Sequence, residues 1–197
     1  MRKRVLLGVT GGIAAYKSAM ITSALVSAGV DVVVIMTDSA TKFVTPLTFE
    51  TLSKNRVITD MFSRDFPHEV EHISLAKSSD LALIAPATAN FIGKIANGIA
   101  DDMLTTTYMA CRAVKVICPA MNTAMYNDAA TQANMRKLIG QGAHFVEPDE
   151  GRLACGDEGK GRLAAPEIIV KYVLDLLEIK PDYVGKKVLV TAGATIE

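Results

Sequence analysis

The sequence has no tryptophan, only three cysteines and no excess of charge of either sign. The odd number of cysteines, without paired spacing, argues against a disulfide framework and against a zinc knuckle. Lys and Arg together number 21, as do Asp and Glu, so the formal net charge is zero. A neutral chain lacks the electrostatic footprint of a protein that binds nucleic acid or an anionic membrane.

Long hydrophobic runs are also missing. The apolar run at residues 5–9 is too short for the hydrophobic region of a signal peptide, and no segment reaches the length needed to span a bilayer. We therefore expect a cytoplasmic location. Hydrophobic residues make up 50% of the 197 positions, which is enough for one domain with a core of its own.

Short apolar strands alternate with helical patterns along the chain. Strands are predicted at residues 4–9, 31–36, 81–85, 113–117 and 143–146. This alternation is typical of right-handed βαβ units. The predicted fold class is α/β: a Rossmann-like (flavodoxin-like) parallel sheet with helices on both faces, plus a glycine-rich flap. Ligands of such sheets bind beyond the carboxyl ends of the strands.

Two segments depart from this alternation. The stretch "GRLACGDEGKGRL", residues 151–163, has four glycines and neither a helical nor a strand period, which predicts a flap or an irregular hairpin. The stretch "KKVLVTAG", residues 186–193, repeats the pattern of the opening "KRVLLGVTGG". We therefore predict a domain at residues 1–180, followed at residues 181–197 by a linker and the first strand of a truncated second domain.

The first strand ends in a glycine turn, "GVTGG", that enters a helix. Backbone N–H groups at a helix N-terminus favour a phosphate, and glycine lets the phosphate approach closely. The second strand ends at Thr37, where a dinucleotide site would have an acid for the ribose. A hydroxyl suits a terminal monophosphate better than a ribose diol, which favours a mononucleotide such as FMN over NAD. The alternative is a turn with a purely structural role.

The stretch "HEVEH", His68 to His72, matches the H-E-x-x-H pattern of zinc proteases. That chemistry needs a long helix and a third ligand downstream, whereas the motif here follows Pro67 and only a short helical pattern continues. His72 by itself is a candidate general base, and a structural histidine is the alternative.

Residues with side-chain amides follow two further predicted strands. After the third strand, Pro86, Thr88 and Asn90 could line a flat ligand, or Thr88 or Asn90 could simply cap a helix. After the fourth strand, Asn122 stands in "PAMNTAMY", where its carboxamide could hold a carboxylate without adding a charge. Met121 and Met125 would supply apolar walls. The alternative for Asn122 is again a helix cap.

The cysteines differ in their surroundings. Cys111 and Cys118 follow or lie in apolar segments and are predicted to be packing residues. Cys155 lies in the glycine-rich flap, which could close over a site and exclude water. There its thiol could act as a proton donor or nucleophile, although the flap could equally be a passive hairpin.

Several stretches together resemble one family, in order over about residues 4–178: "GVTGGIAAYKS", "HISLAKSSDLALIAPATANFIGKIANGIADD", "PAMNTAMY" and "LACGDEGKGRL". They resemble the phosphopantothenoylcysteine decarboxylases, members of the homo-oligomeric flavin-containing cysteine decarboxylases. The resemblance is to the bacterial form fused ahead of a phosphopantothenate–cysteine ligase. "VTAGATIE" resembles the start of the ligase half, whose activity is not expected of this chain.

The resemblance implies FMN as cofactor, no metal, and specific roles for the candidate residues. His72 would be the active-site base, Asn122 the contact of the substrate carboxylate, and Cys155 the proton donor. The residues implied for FMN binding are Gly11, Gly12, Ile13, Thr37, Thr88, Ala89 and Asn90. Those implied for substrate binding are Met121, Met125, Ala154 and Gly156.

The reaction implied by the resemblance is decarboxylation of 4′-phospho-N-pantothenoylcysteine to 4′-phosphopantetheine in coenzyme A biosynthesis. It would proceed by flavin oxidation to a thioaldehyde, loss of CO2 and re-reduction of the ene-thiolate. The resemblance also implies a homo-oligomer: trimers, and dodecamers of four trimers in fused bacterial forms, with active sites at subunit contacts. Neither a nucleic acid nor a membrane partner is expected. Some relatives have Trp where this chain has Tyr126, and we expect that difference to matter little.

Three other functions are alternatives for a protein with these motifs. A peptidyl-cysteine decarboxylase stops at the ene-thiol and would not need Cys155. A flavin prenyltransferase shares the fold but is not expected to contain "PAMN" or "LACGD". A phosphatase-regulating subunit would bind flavin and a partner without turnover, and the combination of His72, Asn122 and Cys155 argues against it.

Overall fold

A central parallel sheet organises the computed structural model, which describes residues 2–61, 71–152, 156 and 158–178. The sheet has the strand order β2-β1-β3-β4-β5, and every pairing in it is parallel. Its strands are β1 (Arg4–Val9), β2 (Asp31–Met36), β3 (Leu81–Ala87), β4 (Val114–Pro119) and β5 (His144–Phe145). A separate antiparallel hairpin consists of β6 (Asp149–Arg152) and β7 (Glu158–Arg162).

Helices connect the strands and cover both faces of the sheet. They are α1 (Ala15–Ser27), α2 (Asp38–Thr41), α3 (Pro46–Ser53), α4 (Glu71–Ser78), α5 (Ala89–Ala96), α6 (Met103–Ala110), α7 (Thr123–Asn127), α8 (Ala129–Gly140) and α9 (Pro166–Leu176). The strand order 2-1-3-4-5 reverses direction between β1 and β3. In doubly wound sheets of this order the ligand crevice opens at that switch point.

Alternation of side chains along the strands produces two hydrophobic cores. In β1, Val5 and Leu7 enter the core that contains residues of α1, α3 and α9, whereas Leu6 enters the core that contains residues of α5, α6 and α8. Both faces are buried because successive strand residues point to opposite sides and each side has its own layer of helices. This burial explains why β1 to β3 are apolar almost throughout.

The predicted fold class is confirmed, with differences at element boundaries. The segment between β3 and β4 forms two helices, α5 and α6, and Gly98 lies between them with φ of +74°, a conformation that favours glycine. The strand predicted at residues 143–146 has only two residues, and a short helix, α7, precedes α8. The glycine-rich stretch contributes to a hairpin, one of the two forms predicted for it.

Some sequence-based predictions fall outside the described residues. The predicted linker and second-domain strand lie beyond residue 178, so that division of the chain stays a prediction. Within the described part of the chain, no helix combines the length and the hydropathy that crossing a membrane requires.

Candidate active site

A cavity of about 1020 Å³ lies at the carboxyl ends of the sheet strands. Its volume is at the upper end of the roughly 300–1,000 Å³ typical of small-molecule sites. Its lining comes from the segments that follow β1, β2, β3 and β4, together with part of the hairpin. The cavity therefore occupies the place that the fold reserves for a ligand.

The two glycines of the β1–α1 turn serve different purposes. A Cβ on Gly11 would collide with Ser39 in α2, so glycine is required there for packing. A Cβ on Gly12 would meet only Thr88 Cγ2, at 3.9 Å. Packing alone therefore does not require glycine at position 12, and its missing side chain leaves room in the cavity. Among the described residues, α1 also has no side-chain cap, an arrangement that suits a phosphate at the helix N-terminus.

Threonine hydroxyls fix the turns around this part of the cavity. Thr10 Oγ1 donates to the Pro86 carbonyl at 2.7 Å and accepts from the Thr88 backbone N–H at 3.1 Å, which ties the end of β1 to the end of β3. Thr37 caps α2 by accepting from the Ala40 N–H, and Thr88 caps α5 by accepting from the Phe91 N–H. Thr37 and Thr88 therefore both line the cavity and cap a helix.

Asn122 likewise lines the cavity while capping a helix. Its Oδ1 accepts a hydrogen bond from the Ala124 N–H at 2.8 Å, at the start of α7. This bond fixes the oxygen of the carboxamide at the start of α7, and the Nδ2 group is the donor end of the side chain. Met121 and Met125 line the cavity on either side of Asn122 in sequence. The capping role and the ligand-binding role proposed from the sequence are thus compatible.

Strand β7 packs directly against the turn that carries Asn122. The Met121 N–H donates to the Gly161 carbonyl at 3.0 Å. A Cβ on Gly161 would collide with the Met121 carbonyl, and a Cβ on Gly159 would lie 2.8 Å from Thr123 Cγ2. Gly161 therefore lets the hairpin backbone approach the Met121 backbone, and Gly159 leaves room for the Thr123 side chain.

Two lysines of the cavity are held by fixed partners. Lys17 Nζ donates to the Leu163 carbonyl at 2.8 Å, and burial, followed by the nearby charge of Arg162, lowers the pKa of Lys17. Lys94 Nζ contacts Asp101 at 2.7 Å and Asp102 at 3.4 Å. The hydrogen bond to Asp101 is the main reason why the pKa of Lys94 is raised.

The structure brings most of the predicted site residues together. The cavity lining includes every residue predicted to bind FMN, namely Gly11, Gly12, Ile13, Thr37, Thr88, Ala89 and Asn90. It also includes Asn122 and both methionines. Pro86, a candidate for lining a flat ligand, is instead buried and is not part of the lining.

Four predicted residues are not placed in the cavity. His72 lies in α4 and is partly buried, but it does not belong to the cavity lining. Gly156 is exposed and does not line the cavity either. Ala154 and Cys155 lie outside the described residues. The roles assigned to these four residues stay predictions.

The other cysteines are packing residues, as predicted, because Cys111 and Cys118 are both buried. Burial raises the pKa of the Cys118 thiol, which keeps it protonated and unreactive. In the described ranges no group of three or more His, Cys, Asp or Glu side chains could hold a metal ion. His68 lies outside these ranges, so the zinc alternative is untested.

Several cavity residues had no role in the sequence-based prediction. They include Lys17 on α1, Ser39 after β2 and the hairpin residues Arg152 and Arg162. Lys17 lies in the first turn of α1, directly after the glycine turn, and this position beside an expected phosphate site could have indicated it. The two arginines stand in the glycine-rich stretch, but no local pattern indicates that this stretch folds against the ends of β1 and β4.

Comparison with known proteins identifies similar sequences over the whole chain. The family model "Flavoprotein" matches residues 1–178. The coenzyme A biosynthesis bifunctional protein CoaBC of Bacillus subtilis is 52% identical over 197 residues, which are 99% of this chain and 48% of that protein. The CoaBC protein of Borreliella burgdorferi is 48% identical over 195 residues, 99% of this chain and 50% of that protein. The chain thus spans about half the length of these curated relatives.

Solved structures resemble the fold over most of its length. A PPC decarboxylase mutant complexed with pantothenoylaminoethenethiol superposes with a TM-score of 0.82 at 31% identity, covering 90% of this chain and 100% of the other. The FMN-dependent cysteine decarboxylase SpaF superposes with a TM-score of 0.76 at 31% identity, covering 89% of this chain and 97% of the other.

Proposed function

The chain belongs to the flavoprotein family, and from that premise we propose that it binds FMN and decarboxylates 4′-phospho-N-pantothenoylcysteine to 4′-phosphopantetheine. One observation carries the proposal: an uncharged carboxamide, Asn122, lines the same cavity as a glycine turn suited to a phosphate. The similarity to coenzyme A biosynthesis proteins and to a PPC decarboxylase supports the choice of substrate.

The residues of the cavity fit FMN. The space beside Gly12, together with the uncapped N-terminus of α1, suits a terminal phosphate, and Thr37 adds a hydroxyl. Thr88, Ala89 and Asn90 offer small and polar groups for the ring system of a flavin. The similarity to an FMN-dependent cysteine decarboxylase supports this assignment. When bound, FMN supplies the two-electron oxidation and reduction that this decarboxylation requires.

Asn122 binds the substrate carboxylate in this proposal. Its Nδ2 group donates a hydrogen bond but carries no charge, so the carboxylate is held without the stronger stabilisation that a cation would give it. Such weak holding favours decarboxylation, because only interactions that are stronger in the transition state than in the ground state accelerate a reaction. Met121 and Met125 supply apolar surface beside the carboxamide and exclude water.

The two remaining catalytic roles concern protons. His72 takes up a proton as the active-site base, and Cys155 returns one from its Sγ. His72 does not line the cavity of its own chain, so we assign it to the cavity of a second copy in a homo-oligomer. The active site of this proposal therefore lies at a contact between subunits.

Mass spectrometry of the reaction products tests the proposal. Purified chain loaded with FMN is mixed with 4′-phospho-N-pantothenoylcysteine, and we expect the products CO2 and 4′-phosphopantetheine. A Cys155→Ser variant should release the ene-thiol oxidation product instead. Phosphopantetheine at the wild-type yield from that variant would disprove the proton-donor role of Cys155.

Each result for the unmodified chain decides a specific part of the proposal. Release of the ene-thiol as the final product would indicate the chemistry of a peptidyl-cysteine decarboxylase. A chain that binds FMN but forms no product would disprove the decarboxylase function and favour a binding subunit. A chain that does not quench FMN fluorescence on titration would disprove the cofactor assignment itself.

A further inference from the structure

The carboxylate of Glu147 connects helix α7 to the hairpin. Tyr126 Oη donates a hydrogen bond to Glu147 Oε2 at 2.7 Å, and Lys160 Nζ donates to the same oxygen at 2.6 Å. The Lys160 ammonium also lies 5.5 Å from the centroid of the Tyr126 ring, within cation–π range. One carboxylate oxygen thus joins a residue of α7 to a residue of β7. We refer to Tyr126, Glu147 and Lys160 together as the clasp.

The clasp lies next to the segment that presents Asn122. Tyr126 is one helical turn after Asn122, and its backbone N–H donates to the Asn122 carbonyl at 2.9 Å. Lys160 lies between Gly159 and Gly161, the two glycines that pack against Thr123 and Met121. The clasp and the glycine contacts therefore join the same two segments: the clasp does so through three side chains, and the glycines do so by close packing against Thr123 and Met121.

Burial indicates what the clasp can contribute. The Tyr126 side chain is buried, with 5% of its surface exposed, so its hydroxyl needs an acceptor. The side chains of Lys160 and Glu147 are 42% and 57% exposed. An ion pair with this exposure adds little to global stability. The contacts at 2.6 and 2.7 Å to one carboxylate oxygen instead suit a local task, which is to fix the distance between α7 and β7.

The charges of the clasp support one another. The hydrogen bond from Lys160 is the largest influence that lowers the pKa of Glu147, and the bond from Tyr126 adds to it. Burial, followed by the hydrogen bond to Glu147, raises the pKa of Tyr126. At neutral pH the phenol is therefore a donor, the carboxylate an acceptor and the ammonium a donor, so all three groups are in the states that the geometry needs.

We propose that Tyr126, Glu147 and Lys160 are positioning residues that hold α7 against β7 and so keep the Asn122 carboxamide directed into the cavity. The structural part of this inference stands on the contacts of the clasp. Its consequence for turnover rests on the proposed function.

The amide of Ala124 reports the position of Asn122 directly, because Asn122 Oδ1 accepts its hydrogen bond. We expect Lys160→Met and Tyr126→Phe each to accelerate hydrogen exchange of this amide about tenfold through local opening, as measured by millisecond exchange and mass spectrometry. Lys171→Met is the matched control, since it removes an exposed ion pair with Asp175 in α9, away from the clasp. The control should leave the exchange unchanged.

Turnover is the second measurement. In the FMN-loaded chain, Lys160→Met should lower kcat/KM about tenfold while its thermal midpoint stays near that of wild type, and Lys171→Met should keep the wild-type kcat/KM. Unchanged Ala124 exchange in both clasp variants would overturn the proposal. Faster exchange with wild-type kcat/KM would overturn it as well. Absence of turnover in the wild-type chain would disprove the proposed function instead, and the exchange result would still decide whether the clasp positions Asn122.

Discussion

Asn122 Oδ1 and the Ala124 N–H form a hydrogen bond of 2.8 Å at the start of α7. The bond commits the oxygen of the carboxamide to the protein, so the nitrogen is the end that can donate to a ligand. The same side chain therefore has a structural partner and a proposed substrate partner, at different atoms. A substitution that changes only one of these atoms separates the two roles.

Asn122→Asp keeps the oxygen that caps α7 and replaces the amide nitrogen with a second carboxylate oxygen. Asp caps a helix as well as Asn does, so thermal unfolding and FMN binding should match wild type. Turnover of 4′-phospho-N-pantothenoylcysteine should fall by about a hundredfold or more, because two carboxylates placed together repel by several kcal/mol. Asn122→Ser, which keeps a cap without the amide or the charge, should lose less activity. Wild-type turnover by Asn122→Asp would leave Asn122 with the capping role only.

Gly161→Ala tests the contact between β7 and the Met121 carbonyl. Gly161 has φ of +157°, and an added Cβ would collide with that carbonyl. We expect a loss of about 1–3 kcal/mol in the free energy of unfolding, measured by urea denaturation. Gly140→Ala is the control, because nothing lies within 4 Å of a Cβ there, and that variant should be neutral or stabilised by up to about 1 kcal/mol. Equal stability of the two variants would contradict the tight contact.

Co-expression of His72→Asn with Asn122→Asp tests whether the active site is shared between subunits. Each variant alone should be inactive. If His72 acts in the cavity of a neighbouring copy, a working site needs His72 from an Asn122→Asp chain and Asn122 from a His72→Asn chain. Random assembly of a symmetric ring should place this combination at about one quarter of the sites. Both chains need affinity tags, so that mixed oligomers can be purified. No recovered activity in those mixed oligomers would assign His72 and Asn122 to the same chain, whereas activity of His72→Asn alone would remove His72 from the reaction.

Asp31 should make the stability of the wild-type fold depend on pH in a defined direction, and Asp31→Asn should remove that dependence. Arg4 Nε donates a hydrogen bond to Asp31 Oδ2 at 2.6 Å, and Asn55 Nδ2 donates one to Asp31 Oδ1 at 2.8 Å. Burial acts to raise the pKa of Asp31, but the hydrogen bonds from Asn55 and Arg4 outweigh it and the pKa is lowered. The carboxylate therefore stabilises the fold at pH values above its unfolded pKa of about 3.9, and this contribution is lost as the pH falls through the lower folded value.

Urea denaturation between pH 3 and pH 8 measures this effect. Asp31→Asn should cost about 1–3 kcal/mol at neutral pH, and the difference from wild type should shrink as the pH falls below about 4. Asp175→Asn is the control, since its ion pair with Lys171 is exposed and worth little. A difference that stayed constant down to pH 3 would show that the charge of Asp31 is not the cause.

Tyr126 illustrates how far the sequence-based prediction could reach. Its aromatic ring is buried, and its hydroxyl donates to Glu147, 21 residues away. A Trp at this position would have no hydroxyl for that hydrogen bond, and the expectation that the exchange matters little stays a prediction. No local pattern connects Tyr126 with Glu147, because their hydrogen bond forms only when the segment after β5 packs beside α7.

The sequence by itself determined the parallel sheet, its two helical layers and the glycine turn, because these depend on hydrophobic periodicity and on the conformational preferences of neighbouring residues. It also indicated Asn122 and the FMN-binding candidates, since parallel strands present their carboxyl ends at one edge. Tertiary structure decided which residues meet there: Lys17 with Leu163, Gly161 with Met121, and Lys160 with Glu147. It also left His72 outside the lining of the cavity. Apart from Lys160 and Glu147, these contacts join residues at least 40 positions apart, and all of them depend on packing between elements, which no local pattern encodes.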